Sequence, residues 1–204
     1  MHDTDAAPHG PATAAVVLAG GAARRMGGAD KPGLVVGGRT LLEGVVAAVR
    51  DHSPDSHVVV VGPERSSPAA EYVREDPPGG GPVPALRAGL ARVHAARTAL
   101  LAADLPHLRA ADLAALEEAA APGPGAVYSD AEGHPQWLTG LWHTEVLRGA
   151  LERYEGASLR RLLGPLGPVL LRPADERAVA DCDTPESLAR ARTDLDRPDH
   201  PDDG

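Results

Sequence analysis

The sequence predicts a three-layer α/β domain built on a mainly parallel sheet. Three observations carry that prediction. Short apolar runs of strand length, "AAVVL" at Ala14–Leu18, "VVVV" at Val58–Val61 and "TALLA" at Thr98–Ala102, alternate with longer stretches whose apolar residues recur at helical spacing. Glycine-rich turns follow the first of these runs and open one of the helical stretches. Late in the chain, "AVYSD" and "QWLTGLWH" flank "EGHP" and read as a hairpin, which gives the sheet one antiparallel excursion.

In chain order, residues 1–11 are polar, proline-rich and without periodicity, and are expected to be disordered, as is the acidic 196–204 at the other end. The domain proper is expected over 12–195. Ala14–Leu18 is the first strand and runs into a glycine loop one residue later. Thr40 is expected to cap a helix carrying Leu41, Leu42, Val45, Val46 and Val49 on one face. Val58–Val61 supplies the second strand, and "EYVRE" a short third. "GGGPVPALRAGLARVH" starts with turn residues and continues as a helix presenting Leu86, Leu90 and Val93. After "TALLAADLP", a helix carries Leu113 and Leu116, "PGPG" breaks it, and the hairpin follows. Glu145–Tyr154 and Ser158–Leu163 read as helices and "PVLLRP" as a strand. "AVADCDTPESLARAR" reads as strand, turn and a helix capped by Thr184, with Pro185 in its first turn.

A chain of 204 residues is long enough for one domain to bury a core without staples. With no Phe and 2% aromatic residues, that core must be built from Leu, Val and Ala. The lone Cys182 excludes an internal disulfide and a cysteine-rich metal site, so the chain fits a reducing compartment and the cytoplasm. No run approaches the roughly 18–20 consecutive apolar residues of a membrane span, and no basic segment precedes the first apolar run. Neither membrane insertion nor secretion is expected. The net charge of −9 is concentrated in the two ends, and without a basic balance or aromatic platforms nucleic acid is not an expected partner.

In open α/β sheets ligands bind outside the carboxyl ends of the strands. Three such ends carry chemistry here: "LAGGAARRMGGADK", "AADLP" and "DCDTP". In the first, Gly20, Gly21, Gly27 and Gly28 let the backbone approach an anion, and Arg24, Arg25 and Lys31 supply positive charge in an acidic chain. The spacing is not that of a P-loop, because Lys31 stands between Asp30 and Pro32; nor of a dinucleotide fingerprint, whose third place holds Ala22. Lys31 is the only lysine beside nineteen arginines. A compact ammonium follows a phosphate that moves during reaction, whereas a guanidinium prefers a fixed fork. The alternative is that the glycines reflect composition and the arginines are surface charges.

"LAGGAARRMGGADK", followed in order by "EDPPGGGPVPALRAGL", "LLAADLPHL" and "VADCDTPESLARA", resembles the molybdenum cofactor guanylyltransferase (MobA-like) family of nucleotidyltransferases over roughly residues 12–195. The resemblance implies a Rossmann-like, GT-A-like nucleotidyltransferase fold. It implies GTP and molybdopterin as substrates, Mg²⁺ as cofactor, and molybdoenzymes or their chaperones as partners. Lys31, Arg25 and Asp104 would be catalytic. Leu18, Ala19, Gly20, Gly21 and Arg24 would hold the nucleotide together with Lys31, Asp76 and Asp104. Asp104 and Asp183 would bind the metal.

The residues themselves leave alternatives open. Asp104 follows a strand and either holds a metal or closes a turn before Pro106. Asp183 stands where guanylyltransferases often carry Asn in "NTPE" and cytidylyltransferases often carry Asp; it otherwise caps the last helix. Asp181 shares the metal or closes a turn. Mg²⁺ usually takes one or two carboxylates with phosphate oxygens and waters, so no His ligand is required, and His107, His134 and His143 are expected at the surface. Asp76 resembles the family acid that meets guanine or ribose, or is a solvated strand end, and "GPER" replaces the family's Asn-containing segment after the second strand. "GHPQWLTGLW" and "SLRRLLGPLG" resemble segments lining the molybdopterin cleft, with Gln136, Arg160 and Arg161 as acceptor contacts. Both Trp residues otherwise belong to the core and both arginines to a solvated helix face.

The function expected from these residues is transfer of GMP from GTP to molybdopterin. Its rivals are the same chemistry with CTP or with another phosphorylated acceptor, and a non-catalytic nucleotide-binding regulatory protein. Lys31 combined with two acids argues against the last, because binding alone would not require a metal pair.

Overall fold

The computed structural model describes residues 13–20 and 30–196. The expected tails fall outside those residues, except Asp196, whose backbone N–H closes the last helix on the Arg192 carbonyl. Strands β1 (Thr13–Leu18), β4 (His57–Val61), β5 (Glu71–Val73), β6 (Arg97–Ala102), β7 (Gly125–Ser129), β8 (Pro135–His143) and β9 (Val169–Leu171) form one seven-stranded sheet. The remaining two, β2 (Val35–Val36) and β3 (Arg39–Thr40), form a separate small hairpin. The large sheet has the order β5-β4-β1-β6-β8-β7-β9. Its one antiparallel strand is β8, which opposes both β6 and β7. The expected excursion is therefore real.

β1 is buried at every residue because it lies between β4 and β6, parallel to both. Its pleat divides the core. Ala14, Val16 and Leu18 face one side, with helices α2 (Pro82–Leu90), α4 (Thr144–Glu152) and α5 (Leu159–Leu163). Ala15, Val17 and Ala19 face the other, with α1 (Leu41–His52) and α3 (Ala110–Ala120). Three layers follow directly from that alternation. α1 starts where expected, since Thr40 and Glu43 form a reciprocal capping box, and Leu41, Leu42, Val45, Val46 and Val49 are all buried. Each such side chain stabilises the fold by about 1.5–3 kcal/mol.

Several expectations are corrected. The segment before "DCDTP" is no strand: Glu176–Val179 is a 3₁₀ turn whose amides at Ala178 and Ala180 bond locally to Asp175 and Arg177. Thr184 caps α6 (Pro185–Leu195) as expected, in a capping box with Ser187, so the alternative of Asp183 as the cap does not hold. His107 is buried, at 7% exposure, because the turn that sends Leu105 and Leu108 into the core carries it inward to face Asp194 at 3.7 Å. The β2–β3 hairpin is an addition to the expected elements, and its turn, Gly37-Gly38 with φ of 57° and 77°, has the chemistry of a tight hairpin. Trp142 is fully buried in the core, and Trp137 packs partly buried against it.

Candidate active site

β1, β4 and β6 end at one edge of the sheet, and backbone bonds carry the ladder past those ends. The Ala19 amide donates to the Val61 carbonyl at 2.9 Å, and the Ala103 amide to the Leu18 carbonyl at 3.1 Å. A cleft of about 710 Å³ opens there. Leu18, Ala19 and Gly20 line it from β1, Ala103 and Asp104 from β6, Leu138 from β8, and Glu75 and Gly81 from the segment that leads into α2. A smaller groove of about 290 Å³ lies elsewhere, between α1 and the turn at Pro106–Ala110, and contains none of these acids.

Lys31 and Asp183 complete the cleft. The Lys31 ammonium makes salt bridges to both Asp104 and Asp183, and the Lys31 and Asp104 side chains are only 15% and 16% exposed. Burial by itself disfavours the ammonium, but the two carboxylates outweigh it and hold its pKa above the ordinary value. The cation is therefore fixed in its charged form between two acids that sequence places far apart.

The triplet Asp181-Cys182-Asp183 is pinned by its middle residue. Cys182 is buried among Val36, Leu41, Leu188 and Ala191, and its amide donates to the Asp104 carbonyl at 3.3 Å. Burial, reinforced by nearby Asp104, pushes its thiol up to about 11, so it is no nucleophile. With the cysteine turned inward, carboxylate oxygens of Asp104, Asp181 and Asp183 lie within 4.8 Å of one another. Lost hydration and the like charges of Asp183 and Asp104 push the Asp181 carboxyl up, against the pull of Lys31. Three hard oxygen donors at this spacing, drawn onto a cation, fit Mg²⁺, with Asp104 and Asp183 lining the cleft and Asp181 beside them.

Residues 15–169 match the model of the MobA-like NTP transferase domain. The chain belongs to this family. It is similar to a molybdenum cofactor guanylyltransferase of Bradyrhizobium sp., at 38% identity over 152 residues covering 67% of this chain and 70% of that one. It is also similar to a molybdenum cofactor guanylyltransferase of Cereibacter sphaeroides, at 33% identity over 185 residues covering 87% and 94%. A solved nucleotidyl transferase from Methanothermobacter thermautotroptrophicus shares the fold with a TM-score of 0.75, at 21% identity over 90% of this chain and 97% of that one. This MobA-like chain is a nucleotidyltransferase, with the α/β fold of that class.

Of the residues singled out in the sequence of this MobA-like enzyme, the cleft brings together Leu18, Ala19, Gly20, Lys31, Asp104 and Asp183. Gly21, Arg24 and Arg25 lie outside the described residues. Asp76 is exposed and does not line the cleft, whereas its neighbour Glu75 does. Gln136 donates to Asp130 at 3.0 Å inside the β7–β8 hairpin, and it is Leu138 from that strand that reaches the cleft. Arg160 and Arg161 are exposed on α5 and do not line the cleft. Arg65, from "GPER", pairs with Asp30 next to Lys31; nothing in the one-dimensional pattern points to that contact.

Among the described residues, no helix is long and apolar enough to cross a membrane.

Proposed function

We propose that this MobA-like enzyme transfers GMP from GTP to molybdopterin with Mg²⁺ as cofactor, releasing pyrophosphate and forming molybdopterin guanine dinucleotide. The observation that carries the proposal is the Lys31 ammonium bridged by Asp104 and Asp183 at the end of a cleft lined by Leu18, Ala19 and Gly20. Support for the guanine and molybdopterin assignments comes from the names of the relatives and from "LAGG", the guanylyl form of the first loop.

A terminal phosphate oxygen of the acceptor attacks the α-phosphorus in line. The bond from that phosphorus to the bridging oxygen breaks, and pyrophosphate leaves with the electron pair. The attacking phosphate is already ionised, so the site needs no Ser, Cys or His nucleophile. Leu18, Ala19, Gly20 and Gly21 offer backbone groups to the base and triphosphate, and Arg24 and Arg25 hold the outer phosphates. Lys31 offsets charge that builds on the α-phosphoryl oxygens during transfer. Asp104 and Asp183 would hold Mg²⁺, with Asp181 adjacent, and the bound ion supplies Lewis-acid neutralisation of the triphosphate. Glu75 lines the cleft and Asp76 does not, so the role of accepting from guanine N1 and N2 or from the ribose is assigned to Glu75. Gln136, Arg160 and Arg161 would meet a part of the pterin that extends beyond the cleft.

One observation favours a second reading: Asp183 in "DCDTP" is the cytidylyl form, and would suit CTP as donor. A nucleotide panel with molybdopterin and Mg²⁺, read by pyrophosphate release, separates the two. Turnover with GTP is expected, and turnover with CTP but not GTP overturns the guanylyl assignment.

A further inference from the structure

We infer that Arg65 is a positioning residue for Lys31, acting through Asp30 from the loop that follows β4. The inference rests on the reading of Lys31 as the group that meets the transferred phosphoryl. Arg65 grips Asp30 with both arms of its guanidinium: Nη1 donates to Asp30 Oδ2 at 2.6 Å, and Nη2 bonds Oδ1. A bidentate fork fixes orientation as well as distance, which a single ammonium in place of Arg65 would not do. The pair holds the Asp30 carboxyl below its ordinary pKa.

The turn that carries Lys31 is built around this pair. The Gly33 amide donates to the Asp30 carbonyl at 3.0 Å and the Leu34 amide to the Lys31 carbonyl at 3.1 Å, closing a tight 3₁₀ turn. A Cβ on Gly33 would stand 2.4 Å from Asp30 Oδ2 and 3.1 Å from Arg65 Nη1, so the glycine leaves room for the ion pair. Downstream, the turn is tied to the start of α1 by the Leu41 amide, which donates to the Leu34 carbonyl at 2.9 Å. Upstream, Arg65 supplies the tie. Lys31 is thus held from both sides while its ammonium reaches Asp104 and Asp183.

The Asp30 side chain is 61% exposed, so the pair adds little to global stability. Its consequence is placement, and a small displacement of a group that acts in the transition state lowers turnover more than binding.

The test compares Arg65→Gln, Asp30→Asn and the double variant. Each single substitution is expected to lower kcat roughly tenfold to a hundredfold with KM for the nucleotide within about threefold. The double variant is expected to be no slower than the slower single, because both act through one contact. A second readout needs no turnover. Lys31 is the only lysine, so protein labelled with ¹³C at lysine Cε gives one lysine side-chain resonance. Either substitution should shift that resonance and raise the rate of amine-selective labelling at Lys31. An unmoved resonance and labelling rate overturn the inference. So does lost nucleotide affinity with kcat retained, which would place Arg65 on the nucleotide, and so do additive effects in the double variant. Asp30→Asn alters an exposed side chain and carries the test if Arg65→Gln does not fold. If the GTP and molybdopterin assignments fail, wild-type turnover fails with those substrates, while the lysine resonance still decides the role of Arg65.

Discussion

The backbone amide of Cys182 donates to the carbonyl of Asp104. That bond stitches the loop before α6 to the end of β6, and it brings the carboxylates on both sides of Cys182 to the carboxylate of Asp104. Like charges at this spacing repel, and the Lys31 ammonium bridges two of them.

Lys31→Arg keeps the charge and changes its shape. Nucleotide affinity measured at equilibrium should stay within about threefold, while single-turnover transfer falls on the order of a hundredfold, because a planar fork does not follow the α-phosphoryl group as an ammonium does. Near-wild-type transfer would remove Lys31 from its proposed role.

Asp104→Asn should lower turnover on the order of a hundredfold to a thousandfold, the scale of losing a metal-held charge in the transition state. Asp183→Asn should be milder and appear chiefly as a higher Mg²⁺ requirement, since one carboxylate from Asp104 remains and Asp181 stands nearby. Chelation should abolish turnover in the wild type, and added Mg²⁺ should restore it. A Mg²⁺ titration of the three proteins reads all of these outcomes.

At the opposite end of the sheet, Glu117 accepts from Arg97 at 2.8 Å and Thr13 at 3.2 Å and faces His52 at 2.9 Å. Burial pushes its carboxyl up, but Arg97, His52 and Thr13 together hold it below the ordinary 4.5. A carboxyl depressed in the folded state contributes stability above its unfolded pKa and loses it as pH falls through the folded value. Glu117→Gln should therefore lower the melting temperature at pH 7, at a cost of about 1–3 kcal/mol. The gap from wild type should narrow below pH 4.5 as the wild type loses the same contribution. A constant gap from pH 7 to pH 3 would contradict this.

Gly89→Ala tests the packing that places the start of α2 at the cleft. A Cβ there would lie 2.6 Å from Val16 Cγ1 and 2.8 Å from Val61 Cγ2. Alanine is the better helix former by about 1 kcal/mol, yet overpacking typically costs about 1–3 kcal/mol, so net destabilisation is expected. Chemical denaturation should show a lower midpoint with an unchanged slope.

Much of the fold was legible because neighbours in sequence encode it. The apolar runs that became β1, β4 and β6, the caps at Thr40 and Thr184, and the hairpin around "EGHP" all depend on residues within a few positions of one another. The misread elements are those in which residue composition points one way and the local turn of the backbone goes another. "AVAD" has the composition of a strand, but its Ala178 and Ala180 amides bond within a local turn. His107 has the polarity of a surface residue but is carried inward by Leu105 and Leu108.

The candidate site divides in the same way. By itself the sequence determined the chemistry available: a glycine loop after the first strand, a lone lysine, and acids after "LLAA" and in "DCDTP". Only the tertiary structure decided that Lys31 lies between Asp104 and Asp183, that Glu75 takes the place in the cleft expected for Asp76, and that Arg65 holds Asp30. The physical reason is range. Strand and cap preferences act over one or two turns of chain, whereas a charge is paired by whichever segment the folded sheet brings within a few ångströms.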